Sequence, residues 1–108
     1  MRSCIGVTLN TRDLRLIREF YVEMLCLPIR AEQDNDSLTI ELGEALLTFQ
    51  SFYGKPESWA EIHLEVDDVP HFCHRMRLAG NDIRREWHDR AELVDPDKRK
   101  VVVWQVDR

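Results

Sequence analysis

Glu61, His63 and Glu65 stand two residues apart in Glu61-Ile62-His63-Leu64-Glu65-Val66. Alternation with Ile62, Leu64 and Val66 puts the three polar side chains on one face of a strand. Two carboxylates beside an imidazole are groups that bind a divalent ion, move a proton or hold a cation. The same pattern also describes the polar face of a half-exposed strand with no special role. The other histidines offer less. His71 and His74 are one helical turn apart and close enough to share a metal. The inner stripe Val69, Phe72, Met76 and Ala79 nevertheless turns both toward solvent. His88 lies among Trp87, Asp89 and Arg90, in a loop or at a hairpin end. Cys4, Cys26 and Cys73 are odd in number and lack C-x-x-C spacing, so neither a disulfide framework nor a zinc knuckle is indicated. Each sits among apolar neighbours, where a reduced thiol acts as a small hydrophobe. No serine or cysteine has a recognisable nucleophile setting, and no glycine-rich phosphate loop is present.

These residues must be positioned by helices and strands. From Asp13, a good N-cap, apolar residues fall at Leu14, Ile17, Phe20, Tyr21, Met24 and Leu25, the stripe of one helix that Pro28 stops. A second helix starts after Asp67 or Asp68, carries Pro70 in its first turn, and ends at Gly80-Asn81. Each follows a short alternating strand, Ile5-Val7-Leu9 and Ile62-Leu64-Val66. A shift of 55 residues superimposes Val7 on Ile62, Leu9 on Leu64, Asp13 on Asp68 and Ile17 on Phe72, the mark of a duplicated unit. Three strand-like runs follow each helix: Ile29 to Gln33, Ser37 to Leu42 and Ala45 to Phe52, then Ile83 to Trp87, Ala91 to Val94 and Val101 to Val106. The expected fold class is α+β, two βαβββ modules (1–54 and 59–108). A half of about fifty residues buries a helix and sheet poorly alone. The two are therefore expected to share one core and form a single domain over residues 1–108.

Composition narrows the partners. The chain has 108 residues, of which 44% are hydrophobic and 32% charged, and a net charge of −5. That acidity argues against nucleic acid, which needs a clustered basic surface. The nearest candidate, Lys98-Arg99-Lys100, follows Asp95 and Asp97 and reads as a solvated turn. The first residues lack the apolar core of a signal peptide, and no stretch reaches membrane-spanning length. No membrane partner is expected, and the cytoplasm is the expected location.

Val7-Thr8-Leu9-Asn10-Thr11-Arg12-Asp13-Leu14, followed by Phe20-Tyr21, Leu25 and Leu27-Pro28, resembles the first βα unit of the vicinal oxygen chelate superfamily. That superfamily includes glyoxalase I, extradiol dioxygenases and bleomycin resistance proteins. Ile62 to Asp68 resembles the start of its second module, and Asp95-Pro96-Asp97 its final turn, with Lys98 where a glycine is usual. The resemblance implies one curved mixed-sheet cup with helices on the outer face. In metal-dependent members four side chains facing into the cup bind one divalent ion. The matching positions here are Gly6, Thr48, Glu61 and Val102, and only Glu61 is a credible ligand. No metal and no cofactor are therefore expected, provided the strand register holds. Ile5, Val7 and Leu9 suit the helix-covered side and support that register.

Period-two alternation then lines the cup with Thr8, Asn10, Thr48, Gln50, Glu61, His63, Glu65, Val102 and Trp104. Hydrogen-bonding groups, carboxylates and an indole suit a polar or cationic small molecule. Trp104 is available to stack on a planar or charged group, worth about 1 kcal/mol or more when desolvated, or to serve as ordinary packing. The resemblance to the bleomycin-resistance branch implies a metal-independent homodimer that sequesters such a compound. The alternative is a glyoxalase-type lyase, isomerase or dioxygenase with Glu61 as general base, its pKa raised by burial in the cup. A third reading is an interaction module with no small-molecule site.

Overall fold

Asp13 and Asp68 each close an extended stretch and open a helix, with nearly the same backbone angles (φ −144°, ψ 99° and φ −146°, ψ 104°). The Asp13 carboxylate accepts the Leu16 amide at 3.2 Å, and that of Asp68 accepts the His71 amide at 2.9 Å. Each satisfies a backbone donor that the first helical turn leaves unpaired. The computed structural model describes residues 3–51 and 54–107 and keeps the 55-residue spacing of the caps.

The chain divides into two compact units, 1–57 and 58–108. The first contains β1 (Gly6–Thr11), α1 (Leu14–Arg18), β2 (Ile29–Gln33), β3 (Ser37–Leu42) and β4 (Ala45–Ser51). The second contains β5 (Glu61–Val66), α2 (Val69–Leu78), β6 (Arg85–Glu86), β7 (Arg90–Val94) and β8 (Lys100–Gln105). The sheets are ordered β1-β4-β3-β2 and β5-β8-β7-β6. In each, the first strand runs parallel to the last and the other pairs are antiparallel. This is the expected α+β fold of two βαβββ modules. Among the described residues, no helix is long and apolar enough to cross a membrane.

Each sheet buries one face under its own helix. Ile17, Phe20 and Tyr21 meet the buried row of Leu38, Ile40, Leu47 and Phe49, with the Tyr21 and Phe49 rings 4.8 Å apart. In the second unit Val69, Phe72, Cys73 and Met76 cover Ala91, Leu93, Val101 and Val103. Ala79, expected in that stripe, is exposed at the helix C-cap, and Cys73 takes an inner place instead. Leu9 is buried, but Val7, on the same side of β1, stays 48% accessible and Ile5 is exposed. Short α1 shelters only the far end of that edge strand.

Four other expectations need correction. The first helix is not α-helical throughout: Glu19–Met24 forms a π-helix, and the Leu25 amide reaches back five residues to the Phe20 carbonyl at 3.0 Å. The wider turn brings neighbours Phe20 and Tyr21 inward together, edge to face at 4.9 Å. The run Ile83 to Trp87 shrinks to the two-residue edge strand β6, because Trp87 already enters a tight turn closed by its amide on the Arg90 carbonyl (2.7 Å). Phe52, expected to end β4, lies outside the described residues.

Cys4 and Cys26 are exposed rather than apolar filler, Cys26 at φ +60° just past the π-helix.

The largest departure is Arg99. Its turn is not solvated at that residue, whose accessibility is 0%. Its Nη1 lies 3.2 Å from Oδ2 of both Asp95 and Asp97, while Asp95 Oδ1 accepts the Asp97 and Arg99 amides at 2.8 and 2.9 Å. The turn that pairs Asp95 with Arg99 folds Arg99 inward while Lys98 and Lys100 stay exposed, and two carboxylates neutralise a charge that would be prohibitive to bury alone.

Candidate functional site

The helix-free face of the second sheet gathers the polar groups. Because Ile62, Val101, Val103, Ala91 and Leu93 point toward α2, their neighbours Glu61, His63, Glu65, Val102, Trp104, Arg90 and Glu92 point away. Register sets His63 opposite Val102, and Trp104 opposite both Glu65 and Arg90.

Trp104 Nε1 donates to His63 Nδ1 at 2.9 Å. The ring planes are only 13° apart and the centroids 6.1 Å, so the rings meet edge to edge, nearly coplanar, rather than face to face. On its other side, His63 Nε2 lies 3.3 Å from Glu61 Oε1. Since Nδ1 must accept, the neutral imidazole carries its proton on Nε2, the nitrogen beside the Glu61 carboxylate. Glu65 is exposed and has no partner among the described residues.

Sequence reasoning missed two members of this cluster, Trp87 and Arg90. The Arg90 guanidinium carbon lies 4.0 Å from the Trp87 ring centroid and 5.1 Å from that of Trp104. An intrachain cation therefore already lies over the Trp104 indole, which is 39% accessible. Trp87 and Arg90 on either side of one short turn were the available signal, and Trp104 joins them only through strand register. His88, in that turn, is exposed.

In the first unit, Thr8 and Thr48 lie in register, as do Asn10 and Gln50. Most of these groups already serve one another. Thr48 Oγ1 and Thr39 Oγ1 share a hydrogen bond at 2.8 Å. Gln50 Nε2 donates to Asn10 Oδ1 at 2.9 Å, and the Asn10 amide and Nδ2 donate to the Glu57 carboxylate at 2.7 and 2.9 Å. Glu57 ties the linker to β1 from 47 residues away. Thr8 is exposed, without a partner among the described residues. A ligand reaching Asn10 or Gln50 must displace made hydrogen bonds.

The four positions matching the superfamily's metal ligands do not suit an ion. Val102 has no donor atom and is 5% accessible. Gly6 has no side chain, although an added Cβ would approach nothing nearer than the Leu46 carbonyl oxygen at 4.0 Å. Thr48 is occupied with Thr39, and Glu61, paired with His63, is the one carboxylate. A catalytic zinc needs about three protein ligands. Glu61 is also exposed, its side chain 49% accessible, so the burial invoked for a general base is missing.

Cys73 is chemically quiet. Burial pushes its thiol up to about 11, helped by a hydrogen bond to Glu86 and that residue's negative charge. Arg77 holds Glu86 through both Nη atoms, at 3.0 and 3.3 Å, and lowers its pKa. A groove of about 470 Å³ in the first unit, beside Cys4, Arg30, Glu41 and Leu46, includes none of the expected ligand-binding residues.

No protein-family model matches the sequence, and no curated protein sequence matches it. Solved structures do match. A bleomycin-binding protein complexed with bleomycin superposes with a TM-score of 0.71, covering 99% of this chain and 100% of its own, at 24% identity. An antibiotic-binding protein from a Streptomyces species gives 0.78 at 20% identity, covering 99% and 98%. The trypanothione-dependent glyoxalase I of Leishmania major gives 0.72 at 22% identity, covering 97% and 87%. The chain has the vicinal oxygen chelate fold.

Proposed function

We propose that this chain is a metal-independent small-molecule-binding protein that sequesters a polar or cationic compound. The observation that carries this reading is the loss of donors at Gly6 and Val102, which leaves Glu61 as the single credible metal ligand. Glu61 and Glu65 on an open sheet face, with a net charge of −5, favour a positive or polar guest. Fold neighbours described as a bleomycin-binding protein and an antibiotic-binding protein support the same class of activity. Under this proposal residues 1–108 act as one domain with a shared core, as a cytoplasmic homodimer with no cofactor and no nucleic-acid or membrane partner. Thr8, Asn10, Thr48, Gln50, Glu61, His63, Glu65 and Trp104 are its candidate ligand contacts. The test is calorimetry on chelator-treated protein with metal-free bleomycin and a panel of basic metabolites. Saturable heat that Glu65→Gln weakens is the expected result. A folded, dimeric protein giving no heat with any of them counts against the reading.

A second reading, a glyoxalase-type lyase, isomerase or dioxygenase using Glu61, is favoured by the glyoxalase neighbours and by the Glu61–His63 contact. Turnover of a hemithioacetal by the isolated protein, abolished in Glu61→Gln, would select it.

A further inference from the structure

Arg90 differs from the arginines that meet carboxylates. Arg18, Arg30, Arg77 and Arg99 each lie within 4.0 Å of an aspartate or glutamate. Arg90 instead lies over the Trp87 and Trp104 rings, and its N–H groups have no acceptor among the described residues. On the same face, Glu92 meets Lys100 at 3.4 Å and Glu61 meets His63, while Glu65, across Trp104, forms no ion pair with Arg90. Cross-strand pairing with Trp104 and the turn that closes Trp87 on Arg90 hold the three side chains on the helix-free face.

Aromatic rings cover the faces of a guanidinium and shed its water, but leave its N–H fork in the plane. A fork of that kind matches a carboxylate or phosphate with two parallel hydrogen bonds. The half-exposed indole of Trp104 beside it supplies a surface for a flat ring. We propose that Arg90 is an anion-recognition residue, and that the guest of this face carries a carboxylate or phosphate joined to an aromatic ring. The proposal rests on this face being the ligand-binding one. It adds an acidic group to a ligand otherwise expected to be polar or cationic, so a guest bearing both charges fits best, with its positive end toward Glu65 across Trp104.

The experiment is a tryptophan-fluorescence titration of the full chain with benzoate and phenyl phosphate, using acetate and benzylammonium as controls. Saturable quenching by either aromatic acid is expected, and which one binds more tightly tells the carboxylate source from the phosphate source. Acetate should bind several-fold more weakly for want of a ring. Arg90→Gln should weaken the acids at least tenfold and Arg90→Lys several-fold, because an ammonium lacks the fork. Trp87→Ala, which removes a ring but no charge, should weaken them less than Arg90→Gln. Unchanged acid binding in Arg90→Gln, or no saturable quenching by either acid in wild-type protein with a native circular-dichroism spectrum, overturns the proposal. Binding of benzylammonium alone, unaffected by Arg90→Gln, overturns it while leaving the cationic small-molecule reading intact. Acid binding through Arg90 with no response to any cation upholds it and discards the cationic guest.

Discussion

The indole N–H of Trp104 meets Nδ1 of His63 at 2.9 Å, in rings 13° from coplanar, and this bond decides where the imidazole keeps its proton. With Nδ1 accepting, the neutral ring is the Nε2–H tautomer, with Nε2 3.3 Å from the Glu61 carboxylate. Long-range nitrogen–proton NMR at pH 8 should find His63 overwhelmingly in that form, and Trp104→Phe should mix the tautomers. A dominant Nδ1–H form in the wild type would show the bond to be absent.

Arg99 neutralises two aspartates that the turn has buried with it. Arg99→Met leaves Asp95 and Asp97 without their cation and should cost about 3–5 kcal/mol in urea unfolding. A loss under about 1 kcal/mol would place the side chain in solvent, where surface ion pairs contribute little.

Lys98 occupies the left-handed region at φ +72°. For an L-residue with a Cβ that conformation costs roughly 1–2 kcal/mol, which glycine largely avoids. Lys98→Gly should therefore raise stability, by up to about 1 kcal/mol once the glycine's extra unfolded-state freedom is subtracted. A lower unfolding midpoint would contradict this.

The Cys73 thiol, pushed up to about 11 by burial and by Glu86, should resist iodoacetamide at pH 8 while exposed Cys4 and Cys26 react. Mass spectrometry should show two adducts on the native protein and three in urea. The folded value lies above the ordinary 9.0. The neutral thiol's contribution to stability is therefore complete below pH 9 and lost as pH rises through about 11. Cys73→Ala should flatten the alkaline limb of a stability–pH curve. Three adducts under native conditions would show the thiol to be open.

The sequence made the frame legible because its signals are local. Asp13 and Asp68 announce caps within four residues of the amides they hold, and β1 and β5 repeat at 55-residue spacing. Groups defined by distant pairing were not legible. Arg99 sits among charged residues that suggest solvent, and only the folded turn shows two carboxylates closing on it. Glu57 finds Asn10 across 47 residues. Arg90 reaches Trp104 through a strand register that no short motif encodes. At the candidate site, Glu61, His63 and Trp104 were recognisable by alternation, whereas the bonds that already occupy Asn10, Thr48 and Gln50 were not.

Metal-independent binding is tested most directly by elemental analysis of protein purified without chelator. Inductively coupled plasma mass spectrometry should find zinc, nickel, manganese and iron each far below one ion per chain, with ligand binding unchanged after chelator treatment. One tightly held ion per chain, released by Glu61→Gln, would contradict the account.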